Sequence, residues 1–372
     1  MSQAFTVREE SDSESSGNPR SRPRHYLASL QAFRGLAALA VLVFHLTKLF
    51  QTKLGTGLFG QGIFRPGYLG ADFFFVLSGF IIFYTNRDAI GRPSATRKFI
   101  TRRLTRLYPV FLSVCFIKLA LLATGGGAAE KLTAGRIVAS LLLLPQPHTP
   151  LLDVAWTLSF ELFFYGLFLV LILRGASLWR LIIAHAGLVV LTNLPGVPPW
   201  DFPISFLLSP YFLEFYAGCL ACHLVQQRVW TTRAARNVLL AGASMIAVGW
   251  LWYAGMLFGA RAYGGLCQCA FWGTTFALIT LGTVALGPTL DRRTPTILKF
   301  LGDASYSIYL IHGAIINLAV VWLSRHWVAR EQFAGLFMVV VGTGALLAGC
   351  AYHLMVEKPL LRLCRRWFPE KN

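Results

Sequence analysis

The stretch ASLQAFRGLAALAVLVFHLTKLF, residues 28–50, decides what kind of protein this is. At 1.5 Å per residue it is long enough to cross a bilayer core of about 30 Å as one apolar helix. Well inside it stand Arg34 and His45. A charged side chain at the membrane centre costs about 2.5–3.5 kcal/mol on insertion scales, so such residues are functional candidates by default. Eleven positions make about three helical turns, so Arg34 and His45 project from nearly one face, about 16 Å apart along the axis.

Working outward, nine more apolar runs follow near 69–85, 107–124, 155–173, 181–195, 209–225, 237–257, 264–287, 304–324 and 334–356. An eleventh, 137–145, is too short to cross and is expected to be re-entrant or interfacial. Of the 372 residues 55% are apolar and 13% charged, against about a quarter charged in soluble domains. The expected fold is therefore an all-α integral membrane protein of about ten transmembrane helices. With the N-terminus inside, cytoplasmic segments hold 24 of the 34 Lys and Arg residues and outer segments eight. That bias predicts both termini to be cytoplasmic.

The net charge of +18 is thus a topology signal. No basic run is interleaved with aromatic residues, and no nucleic-acid partner is expected. Residues 1–25, rich in Ser, Glu, Pro and Arg, read as a disordered cytoplasmic tail, and 361–372 as a basic one. The seven cysteines lie in or beside apolar runs, as packing residues rather than a disulfide framework. Cys219, Cys222 and His223 spell C-x-x-C-H, but inside an apolar run, where haem attachment is not expected.

On this topology Arg34 lies about 9 Å inside the cytoplasmic end of its helix and His45 about 8 Å inside the outer end. The same counting places Glu161, Glu214 and Asp72 six, five and three residues in from outer ends, near the depth of His45. His312 falls nearer the middle. A histidine oriented by a carboxylate is the usual general base toward a hydroxyl. The densest basic patch, 86–106, carries Arg102, Arg103 and Arg106 at one-turn spacing before the third span. By spacing alone it suits anionic lipid headgroups and a phosphate-rich ligand equally.

Six pieces then carry a family pattern: QAFRGLAALAVLVFHL (31–46) with its R-x10-H spacing, GADFFFVLSGFII (70–82), RRLTRLYPVF (102–111), AWTLSFELFFY (155–165), LGDASYSIYLIH (301–312) and EKPL (357–360). In this order, across nearly the whole chain, they resemble the membrane acyltransferase-3 family, bacterial O-acyltransferases of surface and exported polysaccharides. The resemblance makes 26–360 the acyltransferase-like domain. It implies transfer of an acyl group, commonly acetyl from acetyl-CoA, to a sugar hydroxyl, in the bacterial inner membrane and without a metal. His45 would be catalytic, Glu161 its partner or a second catalytic group, and Arg34, Arg102, Arg103 and Arg106 contacts to donor phosphates. Asp72, Ser78, Glu214, His312 and Glu357 are further candidates. The implied partners are acyl-CoA, a polysaccharide or glycolipid acceptor, membrane lipids, and polysaccharide synthesis or export machinery.

Three alternatives stay open at this level: a succinyl or other short-acyl donor, an acyl-histidine relay in place of direct attack, and a non-enzymatic carrier of a lipid-linked sugar. The outer loop 125–154, with His148 and Asp153, is the longest and the best acceptor-side candidate.

Overall fold

The computed structural model describes residues 28–55, 61–123, 133–175, 177–253, 265–326 and 333–367; the expected tail at 1–25 lies outside them. Among the described residues every regular element is a helix. Ten helices follow the ten apolar runs: α1 Ala28–Leu54, α2 Gly70–Asn86, α3 Thr96–Ala123, α4 Trp156–Arg174, α5 Leu178–Thr192, α6 Tyr211–Gln227, α7 Thr232–Tyr253, α8 Leu266–Leu286, α9 Thr296–His326 and α10 Ala334–Tyr352. A π turn at His353–Glu357 then leads into a basic helix, α11, Lys358–Trp367. Helix is the form these runs must take, because hydrocarbon offers no partner to an unpaired peptide group.

Nine helical stretches among the described residues are long and apolar enough to cross a membrane, and α5, with 15 residues, is shorter. Helix directions show that α5 crosses too. α2 and α6 run parallel, with Asp72 level with Glu214 and Gly79 with Cys219. α1 and α9 also run parallel, with Gly35 against Gly302 and His45 against His312. Each parallel pair requires an odd number of crossings between its members, which holds only when α5 is counted. α5 is held by His185, which bonds Tyr216 of α6 and, through Nε2, the Leu207 carbonyl at 2.9 Å. Because α10 runs back along α9, the start of α1 and the helix α11 emerge at one end of the bundle.

Glycines set the two closest helix contacts. A Cβ at Gly302 would strike the carbonyl of Gln31, and one at Gly79 would strike that of Phe215. Small residues here let the α1/α9 and α2/α6 backbones touch, which is how membrane helices gain packing energy without a solvent-driven hydrophobic force. Around these contacts lie two cores. The smaller joins Leu42, Leu46 and Phe50 of α1 to Ile308, Ile316 and Val320 of α9 and Met338 of α10. The larger is rich in Phe, including Phe75, Phe80, Phe111, Phe168 and Phe215.

Two non-crossing segments are sunk into the protein. Pro66, Gly67 and Leu69, just before α2, are buried against α1, where Gly67 leaves no room for a Cβ beside the Ala40 carbonyl. Ahead of α4, the short apolar run forms a helix, Ala134–Leu141, followed by turns in which Leu143, Leu151 and Leu152 are buried, and a 3-10 turn, Asp153–Ala155, that buries Val154. Ser140 Oγ ties that chain by accepting from the Leu151 amide at 3.0 Å. Val138, Leu142 and Leu144 of the second segment remain exposed, so it is only partly covered by the protein.

Candidate active site

The sunken starts change the depths read from the sequence. Phe73 packs on Phe33, so Asp72 lies near the level of Arg34 rather than of His45. Val154, not Glu161, reaches the level of the histidines, through the Tyr309 hydroxyl, which donates to its carbonyl at 3.4 Å. Glu161 lies about two turns further along, among the arginines.

His45 has a different partner from the expected carboxylate. Its ring centroid is 5.2 Å from that of His312, which α9 holds one close-packed helix away. His312 is fully buried, and its Nδ1 lies 3.0 Å from the Ile308 carbonyl. A carbonyl can only accept, so Nδ1 carries the proton and Nε2 presents a lone pair. That nitrogen is buried with no hydrogen-bond partner among the described residues. His45 is half-buried. Tyr309, bonded to Thr157 at 3.1 Å, walls the pair with its ring 6.0 Å from His312.

Three turns along α1 is a second group of residues, a cationic cluster. Arg34 is 8% exposed and donates from Nη1 to Gln31 Oε1 at 2.7 Å. Its electrostatic neighbours are Arg106, Glu357, Asp303 and Glu161. Arg103 reaches in from α3, donates to Thr85 Oγ1 at 2.9 Å, and lies over the rings of Phe99 and Tyr165 at 5.8 and 5.6 Å. Arg102 and Arg106, one turn apart on α3, are both part-exposed. Glu161 accepts from Ser78 Oγ at 3.2 Å and from the Tyr165 hydroxyl. Tyr306, an electrostatic neighbour of Glu161 and Arg106, donates to the Leu107 carbonyl at 2.9 Å.

Glu357 is an electrostatic neighbour of Arg34, and with it come residues the sequence reading missed. Its Oε2 accepts from Ser307 Oγ at 2.6 Å and from His353 Nδ1 at 2.7 Å. The i,i+4 spacing of His353 and Glu357, just ahead of Pro359, was the available signal. Proline has no N–H and crowds the preceding turn, and the helix widens into its π turn immediately before it. Tyr165, four residues after Glu161, was legible in the same way.

Asp72 and Glu214 form an acidic pair of their own, with Asp72 an electrostatic neighbour of Tyr309, the wall of the histidine pair. They face each other and Cys269 between α2, α6 and α8, while Phe74, two residues along α2, faces Tyr309. The sequence put Asp72, Glu214, Glu161 and His45 in one layer; the fold distributes them over three sites.

The arrangement pairs an aromatic-lined cluster of arginines, suited to phosphate oxygens, with a histidine pair that offers a lone pair for proton abstraction. Comparison with known proteins agrees with such chemistry. The family model described as an acyltransferase domain matches residues 27–355. The chain is 29% identical over 311 residues to the exopolysaccharide production protein ExoZ of Rhizobium meliloti (strain 1021), covering 80% of this chain and 91% of that protein. It is 25% identical over 386 residues to the acyltransferase MdmB of Streptomyces mycarofaciens, with 92% and 94% covered. To nodulation protein 10 of Rhizobium leguminosarum bv. viciae it is 27% identical over 343 residues, with 83% and 85% covered. No solved structure matches the chain significantly. With the family model spanning nearly all of it and helices that cross the membrane throughout, this chain belongs to the acyltransferase-3 family and is a multi-pass membrane acyltransferase.

Proposed function

We propose that the protein is an O-acyltransferase of the bacterial inner membrane that moves a short acyl group, acetyl in the first instance, from acyl-CoA to a sugar hydroxyl of a surface or exported polysaccharide. The observation that carries this reading is the polarity of α1, with Arg34 in the cationic cluster and His45 three turns away beside His312. The Lys and Arg bias supports a cytoplasmic location for the arginine end, the side where acyl-CoA is made. A similarity to the exopolysaccharide production protein supports the acceptor class.

In this reading Arg34, Arg102, Arg103 and Arg106 hold the donor's phosphates, and its pantetheine arm extends toward the histidines. His45 takes the proton of the acceptor hydroxyl, and the oxygen attacks the thioester carbonyl. The C–O bond forms as the C–S bond breaks and the thiolate leaves. His312 takes the place beside His45 that the sequence assigned to Glu161, while Glu161, bonded to Ser78 and Tyr165, acts on the arginines. Polymer from a strain lacking the gene tests the function. The enzyme reading expects normal polymer yield with its O-acyl esters missing by NMR; reduced export of fully esterified polymer would point to a carrier instead.

A further inference from the structure

Arg103 enters the cationic cluster from α3, and the last turn of α2 fixes where its guanidinium stands. Thr85 stands in that turn with the hydrogen-bonding capacity of its hydroxyl fully used. The hydroxyl donates to the Ile81 carbonyl at 2.7 Å, which leaves only lone pairs for its other partners. Those accept from Arg103 Nη2 at 2.9 Å and from Asn86 Nδ2 at 2.7 Å. Asn86, the final residue of α2, is buried and also donates from Nδ2 to the Ile82 carbonyl at 2.9 Å. The Thr85 hydroxyl therefore cannot turn away without breaking three bonds. The carbonyl end of a helix also favours a cation.

A second brace comes from the same face of α2. Ser78 precedes Thr85 by seven residues, about two helical turns. It donates to Glu161 at 3.2 Å, and Glu161 also accepts from the Tyr165 hydroxyl. The Tyr165 ring in turn lies 5.6 Å from the Arg103 guanidinium, with the Phe99 ring at 5.8 Å. Ring faces attract such a cation without taking up its N–H groups. Nε of Arg103 is buried and has no hydrogen-bond partner among the described residues, so the braced guanidinium keeps a donor uncommitted.

We propose that Thr85, backed by Asn86, is a positioning residue for acyl-CoA: its hydroxyl sets the Arg103 guanidinium in the orientation that meets a donor phosphate. This rests on the reading of Arg103 as a donor contact. Thr85 and Asn86 both lie outside the six pieces of sequence that carry the family pattern. A hydroxyl that only finishes the helix would affect stability and leave donor affinity intact; the positioning role ties it to Arg103. Serine keeps the hydroxyl at this position, and valine keeps the shape of threonine without it.

The test is acetyl-CoA binding to the purified full-length protein in nanodiscs, as a double-mutant cycle between Arg103→Ala and Thr85→Val, with Thr85→Ser beside it. Thr85→Val is expected to weaken binding about tenfold, the scale of a hydrogen bond to a charged group. It should add no further loss to Arg103→Ala, and Thr85→Ser should bind like wild type. Equal losses from Thr85→Val in the presence and absence of Arg103 would overturn the positioning role. So would Thr85→Val binding like wild type, or Thr85→Ser binding as weakly as Thr85→Val. Arg103→Ala binding like wild type would overturn the donor-contact reading, and this proposal with it. If Thr85→Val does not fold, Thr85→Ala, which removes the hydroxyl without adding an apolar branch, takes its place in the cycle.

Discussion

At the scale of the residue, the proposed reading separates affinity from chemistry. Arg103 and His312 sit at opposite ends of it, one over Tyr165 and the other beside His45. Arg103→Ala is expected to raise the KM for acetyl-CoA with kcat little changed, whereas His312→Ala should lower kcat by about 10²-fold or more, the usual worth of general acid–base assistance, with donor affinity kept. Steady-state kinetics on the two variants separates these outcomes; matching effects on both parameters would merge the two centres into one. Glu161→Gln removes the carboxyl group from the arginine cluster but keeps an acceptor for Ser78 and Tyr165. Its effect should therefore appear in donor binding rather than in turnover.

At the scale of the element, function depends on how closely α1 and α9 approach. Gly302→Val would drive a side chain into the Gln31 carbonyl and separate the helices that bring His45 to His312. Overpacking of this kind costs about 1–3 kcal/mol or more, so a lower Tm in detergent and lost activity are expected together. Gly313, one residue beyond His312, has open space at its Cβ position, and Gly313→Ala should leave Tm unchanged. The helices themselves were legible in the sequence, since length and hydropathy suffice to find them. The levels of Asp72 and Glu161 were not. Depth counted from the start of an apolar run assumes that each helix begins at the membrane surface, whereas Pro66–Leu69 and Leu151–Ala155 begin theirs within the protein. Azimuth was equally hidden: R-x10-H spacing shows that Arg34 and His45 share a face, but not that α9 covers it.

At the scale of the whole molecule, ten crossings place the start of α1 and the helix α11 at one end, and the basic residues choose the side. Reporter fusions at residues 1 and 372 should both report cytoplasm, and a split result would remove one crossing, α5 first. On the proposed topology the two centres face opposite compartments, and α1, which carries both Arg34 and His45, links them. The most direct test is the ester content, by NMR, of surface polymer from a deletion strain complemented with His45→Ala at wild-type membrane levels. The account predicts normal polymer yield with the O-acyl esters absent; full esterification in that strain would contradict it.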